Sequence, residues 1–158
     1  MTINVTDTVR LVCLKQIKSR LAGITAGVNN AALSFDAVEL GPITDQIANR
    51  KRSMIGIVPG REVKNIEFPL TICILPVSIE FKVTWGVGDP PAAELIEHVL
   101  GDIQKAILSD TGLSGNALDV RDIGNEIQMN AYTDKSPSGV AFFDLVYRHN
   151  TLDPTQPV

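Results

Sequence analysis

Chemistry in this 158-residue chain would have to begin from two histidines, two cysteines, a glycine-bearing turn and one basic run. A histidine acts as base, acid or metal ligand only with a partner in reach. His98 falls among Glu94, Glu97, Asp102 and Lys105 on the polar side of a helical pattern, which predicts solvation. His149 closes the last apolar run and reads as a terminal polar residue. Neither Cys-x-x-Cys nor His-x-x-x-His occurs, so the common zinc spacings are excluded. Cys13 and Cys73 each lie inside an apolar segment, the setting of reduced, buried, inert thiols and of the cytosol. In "GVGDPP", Gly86 and Gly88 precede a helical pattern. The third glycine of a dinucleotide fingerprint and the Gly-Lys-Ser/Thr of a phosphate loop are both missing, and Asp89 would repel phosphate. The stretch reads as a turn.

The basic run Arg50-Lys51-Arg52, with Arg61 and Lys64 beyond it, is the one local positive feature. It reads either as a solvated loop or as a contact for DNA phosphate or an acidic neighbour. No aromatic residue is interleaved with it, which disfavours stacking on single strands. An overall pI near 5.1 disfavours a dedicated DNA binder. With no catalytic constellation, no cofactor motif and no metal pattern, the expectation is a protein that is not an enzyme and takes no cofactor.

The elements that would position these residues follow from hydrophobic period. A 44% apolar and 20% charged composition suits one globular domain, expected over 1–150, with an extended tail over 151–158. No apolar run approaches the roughly 18 residues of a membrane span, and "MTINVTDTVR" has no leader-like character. Thr6 reads as the N-cap of a first helix that ends at Gly23. Val9, Val12, Cys13, Ile17 and Leu21 form its stripe, and Leu11 and Leu14 widen the apolar arc. That surplus belongs either in a deep core or against another subunit. "AALSFDAVEL" alternates as a strand, and "SMIGIVPGREVKNIEFPLTICIL" reads as two strands folded at Pro59-Gly60. Pro69 and Pro76 must sit at bulges, ends or an edge.

From Val77 to Trp85 the apolar residues alternate. After Pro91 they fall three and four apart, as Ile96, Val99, Leu100, Ile103 and Ile107, with Asp89 as a candidate N-cap. A strand face and a helix stripe joined so tightly must pack together. "ALDVRDIGNEIQMNAY" predicts a strand pair or a bulged strand. "VAFFDLVYRH" is apolar on both faces, hence central in the sheet or covered by another chain. The fold class expected is α+β: one twisted antiparallel sheet with two helices on one face. Charge is uneven, +3 over Met1–Phe68 and −7 over Pro69–Val158, as suits a subunit with unlike surfaces.

"LPVSIEFKVTW" with its Leu-Pro entry, a short turn, "LIEHVLGDIQKAIL", a last strand closing on "VYRHNTLDP", and a hairpin expected at "PGRE" together resemble the tail terminator (tail completion) proteins of tailed bacteriophages. The likeness covers roughly Ser34 to Pro154. It implies an α+β subunit of a six-fold ring in the virion, assembled in the host cytoplasm and seated on top of the finished tail tube. Such a ring stops tube polymerisation and offers a docking face to the neck or head-completion proteins, with DNA only passing through its lumen. Expected partners are therefore copies of itself, the tube protein and a neck protein, and no membrane. Candidate contact residues are Leu11, Leu14, Arg50, Lys51, Arg52, Arg61 and, by position, Arg148. The alternatives are another neck or connector component, or a monomeric ligand-binding or enzymatic domain.

Overall fold

The structure, a computed structural model, describes residues 5–43, 52–128 and 136–158. Two helices, α1 (Val9–Ala22) and α2 (Ala92–Leu108), accompany six strands: β1 (Ala37–Leu40), β2 (Ser53–Pro59), β3 (Val63–Glu67), β4 (Leu70–Val83), β5 (Asp119–Ile127) and β6 (Ser138–Asn150). The strands make one sheet in the order β1-β2-β4-β6-β5, with β3 also paired to β4. This is an α+β fold. The pairing is antiparallel except at one edge, where β1 runs parallel to β2.

β4 is the spine. Its alternating residues Cys73, Leu75, Val77, Ile79, Phe81 and Val83 are at most 1% exposed and face the helices. From β6, Ala141, Phe143, Leu145 and Tyr147 join them, as do Ile55 and Ile57 from β2. The expected stripe of α2 is buried in full, with Leu95 added. Each such side chain contributes roughly 1.5–3 kcal/mol on burial, which fixes the helices to this face. β6, apolar on both sides, lies centrally between β4 and β5.

Several expectations are corrected. The N-cap of α1 is Thr8, whose hydroxyl accepts from the Leu11 amide at 3.2 Å. Leu14 is 5% exposed and belongs to the core, while Val12 of the expected stripe is only half-buried. The residues before Ala37 do not continue β1. There Ser53 Oγ donates to Ser34 O, and Asp36 takes the Arg52 and Ser53 amides on its carboxylate, so short polar side chains capture bonds a ladder would use. The stretch over Ala117–Tyr132, expected as a strand pair or a bulged strand, is the latter, with the bulge between Asp122 and Gly124; its residues from Met129 to Tyr132 lie outside those described.

The largest correction concerns Pro59-Gly60, where the chain does not fold back. β2 and β3 lie end to end along the same edge of β4: Pro59 pairs with Val77 and Val63 with Ile74. The irregularity falls opposite Pro76, which has no amide hydrogen to give, while its carbonyl accepts from Gly60 N at 2.7 Å. Reversal comes later, across the cis Phe68–Pro69 peptide. On the face away from the helices, the chain at Gly41–Ile43 crosses directly over Gly56. A Cβ there would lie 2.5 Å from Gly41 O, so only glycine fits.

Candidate functional site

β3, the first half of β4 and the end of β6 form an arm that reaches past the helices. Direct cross-strand partners share a face, so Val63, Ile74 and Val146 stand in one row on the helix-free face, with Asn65, Ile72 and Arg148 in the next. On the opposite face the rows are Lys64, Cys73, Tyr147 and then Ile66, Thr71, His149. β3 is exposed at every residue. Val63 is 62% exposed, Ile66 67% and Phe68, at the reversal, 73%. Beyond β6 the chain does not extend as a free tail. It makes consecutive turns that return to the arm and to α1, with Thr151 N on Pro69 O and Val9 N on Pro154 O, both at 2.9 Å. Leu152 projects from these turns, largely exposed.

At the base of the arm a cleft of about 210 Å³ opens between α1, β3 and β6. Glu62 is its hub. The Tyr147 hydroxyl donates to Glu62 Oε1, Arg10 Nη1 lies 3.8 Å from the same oxygen, and Lys64 Nζ lies 3.5 Å from Oε2. Burial, then the hydrogen bond to Glu62, holds the Tyr147 phenol well above its ordinary range, so it stays a donor. Burial also raises the Cys73 thiol behind it. His149 lines the cleft at 6% exposure. Its Nδ1 lies 2.6 Å from Asn150 O, and Nε2 is buried without a partner. Cys13, buried on α1, is pushed up to about 12 by that burial and is not poised to react.

The residues singled out by sequence do not converge. Arg50 and Lys51 lie outside the described residues. Arg52 is a latch rather than a free cation: its guanidinium meets Asp89 at 2.5 Å and Thr84 O at 3.3 Å. Asp89, held below the usual carboxylate range first by that bond, also accepts from Gly86 N; it closes the turn and does not cap α2, whose N-cap is Pro91. Arg61 is exposed beside the irregularity. Leu11 is half-buried and Leu14 is core. Arg148 is exposed on the helix-free face, donating from Nε to Val158 O at 2.5 Å. His98 is exposed, as expected. His149 was read as a terminal polar residue and is instead buried. A histidine in phase with Tyr147 on an inward-facing row was the available signal.

Among the described residues, no three His, Cys, Asp or Glu side chains are grouped to hold a metal ion, and no helix is long and apolar enough to cross a membrane. The chain matches no protein-family model, and no curated protein is similar to it at a significant level.

Proposed function

We propose that this chain is a structural assembly protein of a phage or phage-like tail. In this reading its copies join side by side into a ring, six-fold as the resemblance implies. The ring caps the finished tube, ends its growth and presents a docking face to the neck. The observation that carries the reading is the arm: three hydrogen-bonded strand segments whose outer strand, β3, has no partner on its free edge among the described residues, with apolar side chains on both faces. Free edges and exposed apolar rows on a monomer are sites where another chain adds. A closed ring of identical subunits needs two unlike surfaces on each. The arm is one, and the β1 or β5 side of the sheet, at the far edges, supplies the other.

The test is light scattering and negative-stain imaging of the concentrated protein, alone and with purified tail tubes. Rings in solution, or caps on tube ends that block further growth, are expected, and Ile66→Ser with Phe68→Ser removes them. A protein that stays monomeric and leaves tube ends growing defeats the reading.

A further inference from the structure

We propose that the tip of the arm, Phe68 with Glu67 beside it, seats in a cavity of a second copy of this chain, between the end of α1 and α2. This rests on the ring reading only in taking the arm as the element that reaches a neighbour, and it names the surface that receives it.

The cavity, of about 270 Å³, lies where the last turn of α1 and the chain after it meet the polar side of α2. Ile24, Ala31 and Ala106 give it apolar walls continuous with the core, and Val28, 55% exposed, adds another. Those walls are formed in advance. Gly27 N donates to Ala31 O at 2.9 Å, Val28 N to Thr25 O at 3.0 Å, and Lys105 Nζ reaches across to Asn29 O at 3.0 Å. Little ordering is then left to oppose binding. No arm residue lines the cavity, so a subunit's own arm does not fill it. The chain from Gly23 to Ala31 leads into β1, and α1 packs on β1, which assigns the receiving surface to the β1 side.

Size and charge select the occupant. An apolar cavity of about 150 Å³ already admits a benzene ring, so this one has room for a phenyl group and its stem. Phe68 is the one exposed aromatic side chain among the described residues, and an aromatic anchor filling a pocket is what concentrates binding energy in protein contacts. Arg20 at the mouth is taken by Asp110 at 2.8 Å, and Asp102 by the Ala32 amide at 2.8 Å. Lys105 pairs with no carboxylate among the described residues, and its ammonium keeps donors beyond the one on Asn29 O. Glu67 brings a carboxylate from the residue before Phe68, steadied at the tip by Asn65 Nδ2 at 2.8 Å. Tip and cavity are unlike surfaces, so the contact runs head to tail, the kind that a closed ring of identical subunits repeats.

The experiment follows the concentrated full chain by sedimentation velocity, as wild type, as Phe68→Ser and as Thr25→Trp. Thr25 is exposed on the cavity wall, so tryptophan there fills the cavity from outside the core. Each variant alone is expected to self-associate about tenfold or more weakly than wild type. Their equimolar mixture joins one intact arm to one intact cavity and gives a dimer of the two variants. Separately, Lys105→Glu weakens association at least about threefold, and Glu67→Lys added to the same chain restores it. That charge pair decides the matter if Thr25→Trp does not fold. A wild type that does not self-associate, undiminished association of Thr25→Trp, a mixture that remains two monomers, or charge reversal without rescue overturns the proposal. Rings that survive Thr25→Trp leave the ring reading standing while this contact falls. Head-to-tail chains that never close into rings do the opposite.

Discussion

β2 and β3 share one partner and one edge, yet they are opposite in character. β2 buries its first five residues, Ser53 to Ile57, whereas β3 buries none. The backbone pairing is the same, because both run antiparallel to β4. What differs is the third layer. α1 and the Gly41–Ile43 crossing cover the two faces of β2, and nothing among the described residues covers β3. The contrast teaches that in this molecule a strand's place in the sheet does not decide its burial. The helices end before the sheet does, and the remaining length is left as surface.

The largest effects belong to the covered half. Leu14→Glu places a charge in the core and is expected to abolish the cooperative unfolding transition in urea. Leu11→Glu, at a half-buried position, leaves that transition in place. Ile79→Ala, at a fully buried site on β4, is expected to cost about 2–5 kcal/mol in the same measurement. In the arm the readout changes. Ile66→Ser with Phe68→Ser is expected to weaken self-association or tube capping at least about tenfold, since each buried apolar side chain is worth roughly 1.5–3 kcal/mol, while the urea midpoint stays put. Loss of folding in that double variant would show that the arm is part of the core after all.

Asp89→Asn should cost up to about 1 kcal/mol, because Arg52 is half exposed and the pair is screened. The Asp89 carboxyl is depressed in the folded state, so its contribution is present above the ordinary value of about 3.9 and fades as pH falls through the lowered folded value. Wild type and variant should therefore converge in acid. The smallest effect is expected from Val63→Ala in β3, within about 0.5 kcal/mol by urea.

Much of the covered half was legible in the sequence. The period change from Val77–Trp85 to Ile96–Ile107 specified β4 and α2, because burial on one side imposes a strict alternation or stripe. The two were expected to pack on each other, but α2 lies chiefly against β5, β6 and α1. Pro76 was expected at a bulge, an end or an edge and instead lies inside the central β4, opposite the gap between β2 and β3 where its missing donor is not needed. The arm was not legible. "PGRE" reads as a reversal by composition, yet tertiary pairing with the long β4 pulls the chain straight through it. The parallel β1 edge depends on a connection whose period is silent. The cleft was hidden for a similar reason: Arg10, Glu62, Tyr147 and His149 come from three distant segments, brought together by the pairing of β3 and β6 with β4 and by the placement of α1.

β4 runs unbroken from beneath the helices to Leu70, so the tip of the arm is an extension of the core's own spine. Anything that grips Phe68 grips a cantilever already stiffened along its length by β3 and β6. Little further chain entropy is then surrendered on contact, and leverage at the tip reorients the domain as one rigid piece.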